Sequence, residues 1–291
     1  VKHDIPIYDI DSLSALRSEE IMVSRFGVYS KKHHHLHYPH RHSFYHVVLF
    51  TEGGGFQFID FERFEVKPWQ IYFMIPGQVH GWNFDKPADG YVVNFSATYF
   101  QSFLLKTDYL RKFSFFGGLA NESVLDIPDE SRKEIRDLFE ELLKAVTSDS
   151  RFRDDYTRIL LLKAFILISD LVPEKDSAYV SSYNYTLLKN FQQLIEDNYT
   201  VLRLPREYAE LLYITPNHLN ALCNDLLGIP AGEVIRNRVI LEAKRLLVNL
   251  DLPVTEISYQ LNFKDNSYFS RFFKKYTGET PEEFRKNTFK K

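Results

Sequence analysis

Two stretches in the last third of the chain repeat one pattern, and that pattern leaves few folds open. They are LPREYAELLYITPNHLNALCNDLLG (204–228) and VTEISYQLNFKDNSYFSRFFKKYTG (254–278). In the first, Pro205 opens a helix where no backbone N–H is needed, and Tyr208, Leu211 and Leu212 give it an apolar side. The chain turns at Tyr213-Ile214, Thr215 caps the next helix, and Pro216 takes its first position. Leu219, Leu222, Cys223, Leu226 and Leu227 form a buried stripe, and Gly228 suits the C-terminal cap. In the second, Ile257 and Leu261 face inward, Asn262 tolerates a left-handed turn, and Asp265 caps. Phe269, Phe272, Phe273 and Tyr276 form its stripe, and Gly278 stops the helix. Thr280-Pro281-Glu282-Glu283 reads as a capping box for a last short helix.

Two short helices joined by a tight turn present the second helix as a rod that fits the major groove of B-DNA. Behind its cap Thr215, the first rod shows Asn217, His218, Asn220 and Asn224. The second shows Asn266, Ser267, Ser270, Arg271, Lys274 and Lys275. Asn pairs with adenine edges, Arg271 suits guanine O6 and N7, and the two lysines suit phosphates. A helical stretch over 233–249 holds the rods apart, so their sites should lie about 10 bp, one turn, from each other. Polar faces are ordinary on exposed helices. Two consecutive units with matched caps and stripes are not. Charge agrees: residues 1–180 carry 21 basic and 26 acidic groups, residues 181–291 carry 15 and 13. The single cysteine, Cys223, excludes an internal disulfide and reads as a small buried hydrophobe.

The chain has 291 residues, enough for two domains and a smaller unit. Runs at 45–50, 56–61, 70–76 and 90–96 are rich in Val, Ile, Phe and Tyr, with turn signals between them. They read as strands of a sandwich or barrel, with a hairpin near Asp60–Glu62. From Asp129 the apolar period becomes helical, and a second helix follows from about Phe152 to Val172. That helix is apolar on more than one side, so it is either central in a core or part of a subunit interface, and on the second reading Ile159, Leu162, Phe165 and Ile166 are the candidate dimer face. The longest apolar stretch, 159–172, is too short and too polar for a bilayer, and the opening VKHDIPIYDI has no apolar signal core. The expected location is the cytoplasm.

The segment from about 184 to 288 resembles the DNA-binding domain of the AraC/XylS family of bacterial transcription regulators. TPNHLNALCNDLLG, VILEAKRLL and VTEISYQLNFKDNSYFSRFFKKYTGETPEEFRK carry the likeness. The resemblance implies base contacts at Asn217, Asn220 and Ala221 and at Asn266, Ser267, Ser270 and Arg271. Two positions depart from the pattern. Ala221 stands where some relatives have a long basic side chain, and Tyr213 where a turn glycine is common. PHRHSFYHVVLFTEGGG and VKPWQIYFMIPGQVHGW likewise resemble the cupin-like sensor of that family. The implied fold is a multidomain α+β chain. A cupin-like β-barrel sensor spans 1–127, a helical dimerisation segment 128–172, a linker 173–183 and an all-α domain with two helix-turn-helix units 184–291. The implied partners are double-stranded DNA, a small-molecule effector such as a sugar or metabolite, a second copy of the chain and RNA polymerase, for an activator without enzymatic activity, cofactor or membrane.

Histidines cluster at 33–35, 37, 40, 42 and 46, with His80 further on. His40, His42, Tyr45, His80 and Trp82 are the expected lining of the effector pocket. His40, His42, His46 and His80 approximate a metal-binding cupin pattern, with His46 where a carboxylate is usual. The first reading is histidines that pack and hydrogen-bond without metal. The alternatives are a metal-sensing regulator and a metal-dependent cupin enzyme.

Overall fold

The structure is a computed structural model that describes residues 6–13, 20–33, 36, 38–100, 103–104, 109–171, 182–249 and 251–288. His34, His35 and His37 lie outside the described residues, as does the expected linker but for its last two positions. The chain divides into two units, Ile5–Pro173 and Glu174–Lys291.

The first unit runs β1 (Ile7–Tyr8), α1 (Ile10–Leu13), β2 (Ile21–Arg25), α2 (Phe26–Lys32), β3 (Arg41–His42), β4 (Tyr45–Ile59), β5 (Glu62–Glu65), β6 (Gln70–Met74) and β7 (His80–Phe95). Short 3-10 turns between Tyr109 and Glu122 lead to β8 (Val124–Asp126), α3 (Asp129–Val146) and α4 (Arg153–Leu171). The strands follow the apolar runs because Val, Ile, Phe and Tyr suit a pleated, half-buried surface.

The expected cupin-like barrel does not form. Among the described residues the main sheet runs β2-β7-β4-β6-β8, with β5 on β4, and no strand joins its two margins. The reason lies in β4 and β7, which have 15 and 16 residues. They pair from Tyr45 opposite Phe95 to Ile59 opposite His80, with register shifts between Phe50 and Gly55. Extra residues of this kind bend a strand. Gly90, at φ 147°, and Gly55, at φ 102°, adopt conformations there that side chains rarely allow. Beyond the bend β4 pairs with β5, and before it with β6. One strand thus serves three partners, and the sheet grows outward from its middle.

Alternation then divides the core. Val47, Leu49, Ile71, Phe73, Val93 and Phe95 pack with α3 and α4 on one face. Val48, Phe50, Tyr72, Met74 and Val92 pack on the other face with Phe26 and Tyr29 of α2 and with Trp82. A residue's parity along its strand therefore decides which side it serves.

The second unit is all helical: α5 (Ser182–Asn198), α6 (Pro205–Leu211), α7 (Pro216–Leu227), α8 (Ala231–Leu247), α9 (Val254–Gln260), α10 (Asn266–Thr277) and α11 (Pro281–Thr288). Leu188, Phe191, Tyr208, Leu219, Leu222 and Ile235 share one core. Phe263, Phe269, Phe273 and Phe284 pack ring against ring, tilted or edge-on, among the later helices. Cys223 is buried, and burial pushes its thiol up to about 11. Arg238 of α8 meets Glu196 of α5 at 2.8 Å and Glu242 at 3.0 Å. Arg203 joins the two halves, its guanidinium over the Phe263 ring at 4.8 Å and bonded to the Leu261 carbonyl.

Candidate nucleic-acid interface and histidine cluster

The two helix-turn-helix units are built by the same local chemistry. Ile214 N–H donates to the Ala209 carbonyl at 3.0 Å, and Phe263 N–H to the Ser258 carbonyl at 2.8 Å. Such bonds close a helix end on a left-handed residue. That residue is Tyr213 at φ 55° in one turn and Asn262 at φ 57° in the other. Asn holds this conformation at small cost. Tyr213, in place of the usual glycine, bears about 1–2 kcal/mol of strain, yet its helix closes with the same bond.

Thr215 Oγ1 accepts from His218 N–H at 3.2 Å, and the Asp265 carboxylate accepts from Ser267 and Tyr268 N–H at 2.8 and 3.1 Å. Gly228 and Gly278 close α7 and α10 in the left-handed region. Thr280 and Glu283 exchange bonds as a capping box. From Asp265 onward, α10 matches α7 at an offset of 50 residues, and the second turn holds one extra residue, Lys264.

That correspondence exposes an asymmetry. Asn217, Ala221, Asn224 and Asp225 are exposed on α7, and Ser267, Arg271, Lys274 and Lys275 stand exposed at the matching places on α10. One rod presents amides and a carboxylate, the other three cations. His218 is exposed as well. Asn266 and Ser270 are half-buried, and the Asn266 Oδ1 is buried without a hydrogen-bond partner. Asn220 is turned away: its Oδ1 accepts from Ala231 N–H at 3.0 Å, at the start of α8. It supplies a cap that Pro230 lacks.

In the first unit, His40, His42, His80 and Trp82 come together, and Tyr45 does not join them. Tyr45 is one residue from His46 and so points to the opposite face, stacked on Phe95 at 4.9 Å. His40 and His80 are fixed by a pair of backbone bonds, each 2.9 Å. His46 stands on β4 opposite Asn94 of β7. The His40 ring lies 4.3 Å from His80 and 4.7 Å from His42, and His42 lies 4.9 Å from His46, centroid to centroid. Trp82 stacks on His40 at 5.5 Å. All four imidazoles are buried.

Burial, then neighbouring imidazoles, hold His42 and His80 well below the ordinary histidine range. Burial brings His46 down to about 4, against a hydrogen bond with Asn94 that pulls it up. Neutral rings follow at pH 7, each with one N–H and one lone pair. Asn94 and Gln78 were not among the expected site residues. Gln78 donates to the Asp60 carboxylate at 3.0 Å and accepts from Ile75 N–H at 2.8 Å, which sets the turn that delivers His80. For Asn94 the one signal is a polar residue inside the apolar run YVVNF.

On α4, Phe165 sits in the core, 5.1 Å from Phe116 and 5.9 Å from Phe95. Leu162 is half-buried against the same core. Ile159 and Ile166 are 51% and 43% exposed.

Residues 208–287 match the family described as a helix-turn-helix domain, and residues 23–165 match the AraC-like ligand binding domain. The arabinose operon regulatory protein of Salmonella typhimurium is 25% identical over 251 residues, which are 83% of this chain and 83% of that one. Its namesake from Escherichia coli is 26% identical, over 83% of this chain and 80% of its own. Among solved structures, the C-terminal domain of the two-component response regulator yesN from Fusobacterium nucleatum is 31% identical. It covers 35% of this chain and 98% of its own, with a TM-score of 0.32. No helix among the described residues is long and apolar enough to cross a membrane.

Proposed function

The chain belongs to the AraC/XylS type of helix-turn-helix transcription regulators, and from that premise we propose how its parts divide the work. It is a sequence-specific DNA-binding protein and not an enzyme. In our reading α7 and α10 enter successive major grooves on one face of DNA, and the N-terminal unit holds the ligand that controls them. The observation that carries this is the equivalence of the two units, with the same turn bonds, the same caps and outward faces in register. A single helix with two exposed amides supports no such assignment. Two in fixed relation suit two half-sites one turn apart.

The test is selection of bound fragments from random double-stranded DNA with the full chain. Two sequence blocks about 10 bp apart are expected. A single block would mean that one rod reads no bases, and no enrichment in the presence or absence of ligand would end the reading.

A ligand controls DNA binding only by favouring one arrangement of the protein over another. RNA polymerase is the further partner that the reading assigns to an activator. The exposed stripe of α4, centred on Ile159 and Ile166, is the face we assign to a second copy of the chain. Replacement of both by Asp should turn a sedimenting dimer into a monomer with an unchanged melting temperature. Equal mass for parent and variant would exclude that face.

A further inference from the structure

We propose that the face of the N-terminal sheet that packs on α2 binds a divalent transition-metal ion, held by His40, His42 and His80 with His46 completing the set. The inference rests on reading this unit as the ligand-binding half, and it names the class of ligand.

The hydrogen bonds fix the tautomers. His40 Nδ1 lies 2.8 Å from the Tyr38 carbonyl oxygen, and His80 Nδ1 lies 3.2 Å from that of Gln78. A carbonyl oxygen can only accept, so both Nδ1 atoms carry the proton. His46 Nδ1 donates to Asn94 Oδ1 at 2.5 Å in the same way. Each Nε2 keeps a lone pair. The Nε2 atoms of His46 and His80 and both ring nitrogens of His42 are buried with no hydrogen-bond partner. A buried polar atom left in that condition costs about 1–3 kcal/mol. Several at one point is an arrangement that packing alone selects against, and a cation would turn each lone pair into a bond.

Size and chemistry agree. One ring nitrogen from each of His40, His42 and His80 lies within 4.8 Å of the other two. A tetrahedral ion with bonds of about 2.0–2.1 Å sets its ligands about 3.3 Å apart, which small ring rotations reach. The set is all imidazole, without carboxylate or thiolate, which suits zinc, copper or nickel and not magnesium or calcium. Nδ1–H bonds to carbonyl and amide oxygens are also the outer support that ligating histidines ordinarily have.

The test is zinc uptake by the chelator-stripped full chain, measured by competition with a chromophoric chelator. One tightly held equivalent per chain is expected, and cobalt(II) should give the intense visible absorption of a four-coordinate site. Asn94→Ala, which removes no ligand, should weaken uptake about 10–100-fold, and His42→Ala or His80→Ala more. Joint replacement of His34, His35 and His37 by Ala should leave uptake intact. The proposal falls if the parent binds no zinc, if cobalt remains six-coordinate, or if uptake disappears with His34, His35 and His37 instead. The Asn94 variant and the parent's cobalt spectrum decide the matter even where the ligand variants do not fold. Arg271→Ala, a test of DNA reading alone, should take up zinc as the parent does, so either reading can fail while the other stands.

Discussion

Gly90→Ala is expected to lower the melting temperature of the N-terminal unit by roughly 8–16 °C or to abolish its folding. Gly90 lies where β7 crosses the bend of β4, at φ 147°. A Cβ there would sit 1.9 Å from the Leu49 carbonyl oxygen and 3.0 Å from the Thr51 nitrogen. Both are backbone atoms of a central strand, so no side-chain rotation relieves the clash. The conformation itself is closed to alanine as well. Two such faults at one residue place the substitution at or beyond about 4 kcal/mol, the range of the severest single changes. At about 2–4 °C per kcal/mol for a unit of this size, the shift follows. Differential scanning calorimetry of the full chain measures it. A melting temperature within about 2 °C of the parent would mean that the bend is not where the structure has it.

Arg271→Ala is expected to weaken binding to the selected operator by about 1–3 kcal/mol, roughly 5–150-fold, and to relax preference at one base pair. Arg271 is exposed on α10, one turn after Ser267 and one before Lys274. Its guanidinium is free to make the paired hydrogen bonds to guanine that set one position. Lys274→Ala is the contrast: it should weaken all sequences alike and lower the salt slope by about 0.9, the share of a single neutralised phosphate. Anisotropy titrations on matched and mismatched duplexes at several salt concentrations separate the two. Arg271→Ala with unchanged affinity and unchanged preference would put α10 outside the groove.

What the sequence made legible was local. Thr215, Asp265, Gly228 and Gly278 act within a few residues of themselves, and they carry the helix ends in the structure. Asn220 shows the limit. Helical spacing puts it on the outward face with Asn217 and Asn224, but its amide reaches Ala231, eleven residues on, because α8 starts without a cap of its own. Phe165 shows another. A helix apolar on several sides does not say which side meets the core, and the rings of Phe73, Phe95, Phe100, Phe113, Phe115 and Phe116 claimed this one. The strands were readable from their alternation, yet alternation reports faces and not margins. Nothing in it states whether the first and last strands meet, so the expected barrel gave way to an open sheet. For the histidines, composition supplied the residues, and only strand register brought His46 opposite Asn94 and His40 beside His80.

On the proposed binding mode, the unequal faces of α7 and α10 would also give the encounter with DNA a sequence in time. Long-range attraction acts on net charge, and between the two helices the positive charge sits on Arg271, Lys274 and Lys275 of α10, while α7 presents Asp225 at the place matching Lys275. If both helices enter DNA as proposed, the α10 half should be drawn in first and set the association rate, which salt slows. On the same proposal the α7 half would engage at short range through amides that feel little field and would contribute residence time.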